Sequence, residues 1–76
     1  MAAAAPVVLY TRTGCPWCDR KRAELVARGV AFRELDVAAR PEVIPELLKL
    51  TGGRRMVPVV VEGPRIEVAP DGGSRF

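Results

Sequence analysis

The sequence predicts an α/β domain built on one mixed four-stranded sheet, in the order βαβαββ, with helices covering it. Three observations point there. Short apolar runs rich in β-branched residues alternate with longer stretches of helical spacing. A glycine stands where each helical stretch ends, at Gly29 and Gly52. The last two strand-like runs are separated only by Glu62-Gly63-Pro64, a tight turn. A parallel βαβ unit followed by a hairpin gives a mixed sheet. The 76 residues suffice for one domain. Its expected extent is 1–76, with 1–6 and 69–76 as flexible ends.

Each element has a local cause. Val7-Val8-Leu9-Tyr10 is apolar and reads as a buried strand, and Thr11 to Gly14 as a turn. Pro16 suits the first helical position, where its missing N–H costs nothing. Trp17 to Arg28 then reads as a helix, with Ala23, Leu25, Val26 and the stem of Arg22 as its apolar side. Val30 to Val37 interleaves apolar and charged residues as a second strand. Pro41 to about Leu50 reads as a second helix, with Val43, Ile44, Leu47, Leu48 and Leu50 facing the core. Pro45 fits if that helix starts near Ile44 and bends it if the start is Pro41. Val57 to Val61, nearly all apolar, is a central strand, and Arg65 to Val68 is the fourth. Residues 69–76 are turn-rich and read as a loose tail.

Composition narrows the function classes. There is no histidine, so imidazole takes no part in nucleophilic pairs or metal ligation. Twelve Lys/Arg against nine Asp/Glu leave a net charge of +3, scattered enough to read as a solvated surface, or as attraction for an anionic partner. With aromatic residues only at Tyr10, Trp17, Phe32 and Phe76, a stacking platform for nucleic acid is not expected. No apolar run is long enough to span a bilayer, and Met1 to Pro6 lacks the features of a secretory signal. The expected location is cytoplasmic, where a cycling thiol pair is kept reducible.

The chemistry resides in Cys15-Pro16-Trp17-Cys18. Two cysteines so close make a poor staple, because the loop they close joins nothing distant. Thiol exchange, in contrast, needs one thiolate to attack and a second thiol to release the mixed disulfide. At a helix N-terminus the unpaired N–H groups and the dipole favour a charged sulfur, and Arg12 three residues earlier adds positive charge. Position assigns attack to Cys15 and resolution to Cys18. A zinc site would need about four ligands, and two thiols without histidine meet that only with a second chain or carboxylate help.

The stretch Val8-Leu9-Tyr10-Thr11-Arg12-Thr13-Gly14-Cys15-Pro16-Trp17-Cys18 resembles the opening of a glutaredoxin. Glu34-Leu35-Asp36-Val37 and Leu50-Thr51-Gly52-Gly53-Arg54-Arg55-Met56-Val57-Pro58 extend the likeness, so that it covers roughly residues 7 to 66. The resemblance implies a thioredoxin-like fold and glutathione-linked disulfide reduction, with glutathione as electron-donating co-substrate and no bound cofactor. It implies a cis peptide bond before Pro58, turning the Val57 backbone towards Cys15 to pair with a peptide-like thiol substrate; alternatively Pro58 merely opens a strand. By position, Arg12 approaches the glycine carboxylate of glutathione, Trp17 replaces the family's tyrosine as a wall of the groove, and Arg55 lies near the same anion. Met56 stands where the family has threonine.

Two departures bear on specificity. The family's Gly-Gly-x-Asp motif after the last strand is replaced by Glu67-Val68-Ala69-Pro70, and the C-terminal helix is absent. Asp71-Gly72-Gly73-Ser74 could form a substitute anion nest or belong to the flexible tail. The expected function is reduction of protein disulfides or glutathione mixed disulfides by a monomer. The alternatives are a redoxin recharged by thioredoxin reductase, or an iron–sulfur or metal-binding module bridging two chains.

Overall fold

The computed structural model describes residues 6–76. The expected flexible start concerns residues 1–5 above all, and these lie outside the described residues. The elements run β1 Val7–Thr11, α1 Pro16–Ala27, β2 Phe32–Asp36, a 3₁₀ turn Pro41–Val43, α2 Ile44–Thr51, β3 Met56–Val57, β4 Val59–Glu62, β5 Arg65–Val68 and β6 Ser74–Arg75. The main sheet has the order β2-β1-β4-β5. β1 pairs parallel with β2 (Leu9 opposite Glu34) and antiparallel with β4 (Leu9 opposite Val60), and β4 pairs antiparallel with β5 (Val60 opposite Glu67). This is the mixed four-stranded α/β sheet expected of a thioredoxin-like fold, and among the described residues no helix follows β5.

The period-2 alternation of β1 feeds both faces of the sheet. Val7 and Leu9 cluster with Val60 and with Leu25 of α1, whereas Tyr10 joins Val37, Val59 and Leu47 of α2. Leu9 and Leu47 are wholly buried. Burying such a side chain contributes about 1.5–3 kcal/mol, a large share in so small a domain.

Four expectations need correction. Of the expected apolar side of α1, Leu25 is buried and Arg22 half-buried, but Ala23 and Val26 are exposed, and Cys18 and Lys21 complete the inner face. Val26 is 64% exposed, because it sits a full residue step, about 100°, around the helix from Leu25. The apolar stem of Lys21 fills that face while its ammonium meets Glu24 and Asp71. The second strand is shorter than Val30 to Val37. The expected third strand is two: Pro58, whose bond to Val57 is cis as expected, divides β3 from β4 because it has no N–H for the ladder. Finally, the segment 69–76 is no loose tail. β6 pairs antiparallel with β3, Met56 opposite Arg75 and Val57 opposite Ser74.

The second helix resolves the Pro45 ambiguity. Its α-helical part starts at Ile44, which puts Pro45 in the first turn, where a missing N–H is tolerated. Gly52 ends it in the left-handed region at φ 68°, its N–H donating to the Leu48 carbonyl.

Candidate active site

The loop leaving β1 is fixed before it reaches the cysteines. Asp36, at the end of β2, accepts from the Thr13 backbone N–H at 3.2 Å and from the Thr13 hydroxyl. These bonds hold the Asp36 carboxyl below its ordinary range, the Thr13 hydroxyl contributing most. The Cys15 N–H donates to the Arg12 carbonyl at 3.2 Å, and Gly14 takes φ 79°, a conformation side-chain-bearing residues avoid.

Cys15 is then the N-cap of α1, with extended backbone (φ −98°, ψ 109°) and Pro16 in the first turn. Its sulfur accepts the Cys18 backbone N–H at 3.1 Å, as a serine or aspartate oxygen does at other helix starts. Both cysteines are free thiols, and both are buried.

The two sulfurs differ in proton affinity. Burial alone would push the Cys15 thiol up. Hydrogen bonding from the Cys18 thiol, the Ser74 hydroxyl and the Cys18 and Trp17 backbone outweighs burial, and the Cys15 thiol lies below its ordinary value. Cys18 is pushed up to about 12, first by burial and then by the neighbouring Cys15. One sulfur is therefore suited to be a thiolate and the other to hold its proton.

Of the remaining residues singled out by sequence, Trp17 and Val57 share the cluster of the two cysteines, and Arg12, Trp17, Arg55, Met56 and Val57 each meet the chain's own segment 72–76. Arg12 is exposed, and its guanidinium donates to the Arg75 carbonyl at 2.6 Å. Trp17 is half-buried; the Arg20 guanidinium lies 5.2 Å from the centre of its ring, and Gly72 packs against the indole so closely that a Cβ there would come to 3.0 Å. Arg55 donates through Nε to a Phe76 backbone oxygen at 2.9 Å, and its guanidinium lies 5.0 Å from the Phe76 ring centre. Met56 and Val57 form β3, and Pro58 is wholly buried behind them.

Sequence reasoning gave Asp71-Gly72-Gly73-Ser74 no part beyond an anion nest or a tail, and it did not single out Lys21. Ser74 lies opposite Val57 and helps to lower the Cys15 thiol. Gly73 approaches the Val57 carbonyl so closely that a Cβ would sit 2.2 Å from its oxygen. Lys21 and Asp71, 3.0 Å apart, tie this segment to α1. The glycine pair was the available signal, since it permits a close backbone approach. Among the described residues no group of three or more His, Cys, Asp or Glu side chains could hold a metal ion.

A thioredoxin-like α/β fold with a dithiol at the N-terminus of its first helix defines a thiol-exchange class of protein. Residues 7–66 match the Glutaredoxin family model, and the chain belongs to the glutaredoxin family. It is 42% identical over 57 residues to the gene 56 protein of Mycobacterium phage L5, an alignment covering 75% of this chain and 54% of that protein. It is 31% identical over 62 residues to glutaredoxin 3 of Escherichia coli, covering 82% of this chain and 75% of that one. The crystal structure of a glutaredoxin from Archaeoglobus fulgidus superposes with a TM-score of 0.72 at 28% identity, covering 93% of this chain and 77% of that chain. The chain thus spans a little over half the length of the phage relative. No described helix is long and apolar enough to cross a membrane.

Proposed function

We propose that the chain is a thiol–disulfide oxidoreductase that reduces protein disulfides or glutathione mixed disulfides through Cys15 and Cys18. The observation that carries this is the dithiol at the start of α1, Cys15 as N-cap with its sulfur accepting the Cys18 N–H at 3.1 Å, an arrangement that fits the Cys15 thiol lying low and the Cys18 thiol high.

The Cys15 thiolate attacks one sulfur of a substrate disulfide. That S–S bond breaks, a mixed disulfide forms, and the first product leaves as a thiolate that takes up a proton. The mixed disulfide removes the Cys15 negative charge, which had helped to keep Cys18 protonated. Cys18 gives up its proton, attacks the Cys15 sulfur and releases the second product, leaving a Cys15–Cys18 disulfide. Two glutathione thiols return that disulfide to two thiols and leave as glutathione disulfide. Arg12 and Arg55 supply positive charge for a glutathione carboxylate, Trp17 walls the groove, and the Met56–Val57 edge next to Pro58 offers backbone pairing. The protein acts as a monomer in the cytoplasm and needs no bound cofactor.

A second reading, recharging by thioredoxin reductase, is favoured by one observation: Arg12, Arg55 and the Val57 edge already face the protein's own backbone. Turnover of hydroxyethyl disulfide distinguishes the two. Activity with glutathione and glutathione reductase supports the first. Activity only with thioredoxin reductase selects the second, and activity with neither removes both.

A further inference from the structure

We propose that the segment 72–76 is a pseudosubstrate: it fills the groove as an extended, cysteine-bearing polypeptide would, with Ser74 in the place of the cysteine, and a substrate enters by displacing it. This rests on the oxidoreductase reading above and adds the substrate class, an extended polypeptide disulfide.

Four observations carry it. The segment lies antiparallel to β3, with Ser74 opposite Val57, the residue beside the dithiol. Serine differs from cysteine only in oxygen for sulfur, and the Ser74 hydroxyl is among the groups that lower the Cys15 thiol. The arginines of the groove grip main-chain oxygens, those of Arg75 and Phe76, and the Phe76 N–H donates to the Arg55 carbonyl at 3.2 Å. Recognition through backbone is strand addition, in which main-chain bonds give affinity and side-chain fit gives specificity. Lastly, Cys15 is only 1% exposed, and Phe76 of the segment and Trp17 pack against the cluster it belongs to, so a disulfide reaches it only once this cover opens.

The hold is light. The β3–β6 ladder is two residues long, and short two-stranded ladders are marginal in water. The base of the segment is fixed more firmly, by Asp71 on the ammonium of the buried Lys21. The contacts also specify the occupant. The position before the cysteine must be glycine, because a Cβ at Gly73 would collide with the Val57 oxygen. The position two after it suits an aromatic ring, as Phe76 lies beneath Arg55.

The first test places Ser74→Cys in a Cys18→Ser background and oxidises it with diamide, which takes up the two thiol hydrogens as the disulfide forms. An intramolecular disulfide to Cys15 in the monomer is expected; two persistent free thiols, or cross-linking only between chains, overturns the proposal. The second measures iodoacetamide alkylation of Cys15 in Cys18→Ser with and without Gly73→Val. A rise of about tenfold or more is expected, corresponding to loss of about 1.4 kcal/mol of cover; an unchanged rate in a folded variant overturns the proposal. If Gly73→Val does not fold, the third test decides. Wild-type protein is given the glutathione mixed disulfides of Gly-Gly-Cys-Arg-Phe and Val-Val-Cys-Arg-Ala. A higher kcat/KM for the first is expected, and equal values overturn the proposal. Cross-linking and alkylation read position, not turnover, so a protein inactive on every disulfide refutes the oxidoreductase reading while these two still report on the segment.

Discussion

The Cys18 backbone N–H points at the Cys15 sulfur from 3.1 Å, closing the first turn of α1 around the dithiol. That bond is strongest when the sulfur carries charge. It links the two cysteines while both are free thiols.

The two cysteine variants should therefore differ in kind. Cys15→Ser removes the thiol that is lowered from its ordinary value and is expected to lower turnover by at least two to three orders of magnitude, about 3–4 kcal/mol of barrier. Cys18→Ser leaves attack intact but stops release, so a Cys15 mixed disulfide accumulates. Intact-mass spectrometry after exposure to glutathione disulfide checks this: one glutathione adduct on Cys18→Ser, none on Cys15→Ser.

Alkylation as a function of pH should show the same division. Cys15, held below its ordinary value of 9.0, should reach half-maximal reactivity below a free cysteine, whereas Cys18, at about 12, should stay unmodified across the neutral range. Stability follows with opposite signs. Cys18 keeps its proton in the folded state between 9 and about 12 while the unfolded chain loses it, so its contribution to stability falls as pH rises through that window. Cys15 is lowered, so its contribution is present above the unfolded value and is lost as pH falls through the folded one. Denaturant titrations of reduced wild type and Cys18→Ser between pH 8 and 11 check the sign; the loss at high pH should shrink in the variant.

Acid should loosen the junction of β2 with β1 and α1 through Glu34. Arg22 grips its carboxylate with two bonds of 2.6 Å, from Nε and Nη2, and the Thr11 hydroxyl adds a third at 2.9 Å. These hold the Glu34 carboxyl below its ordinary 4.5, Arg22 first, so the stability they supply is present above that value and is lost as pH falls through the lowered one. Glu34→Gln is expected to cost about 1 kcal/mol at pH 7, since both partners are partly solvated. Its stability should also vary less below pH 5 than that of wild type, as read by urea midpoints.

The core prediction concerns Leu47, wholly buried on the α2 face of the sheet. Leu47→Ala removes transfer energy and leaves a cavity, costing about 2–5 kcal/mol. In a domain of this size such a loss consumes much of the stability. Thermal unfolding followed by circular dichroism should show a fall of ten degrees or more, on the order of 4–8 °C per kcal/mol.

Much of the fold could be read from pattern because β1, α1, β5 and the α2 core are locally consistent. Val7 to Tyr10 are apolar, Pro16 opens a helix, Gly29 follows its end, and each signal agrees with its neighbours. The dithiol was equally legible, since its spacing and its place after a strand are local facts. What could not be read depends on distant partners. Lys21 looks like a surface charge until Asp71, fifty residues on, comes to its ammonium. The inner face of α1 was misassigned for that reason. Val57 to Val61 looks like one strand because its β propensity is continuous, yet Pro58 divides the backbone pairing. Asp71 to Phe76 has the composition of a loose end, rich in glycine and polar residues. Its order comes from an unpaired edge at Met56–Val57 and from arginines at 12 and 55, none of them near it in sequence.

Strand β1 has one further consequence. It is bonded to β2 on one side and to β4 on the other, and it ends at Thr11, four residues from Cys15. Its amides are among the last to meet water when the domain breathes. Cys15 is thus tied to a strand bonded on both sides, while the segment proposed to shield it is paired through a ladder of two residues. On that proposal, local opening bares the sulfur without misplacing it.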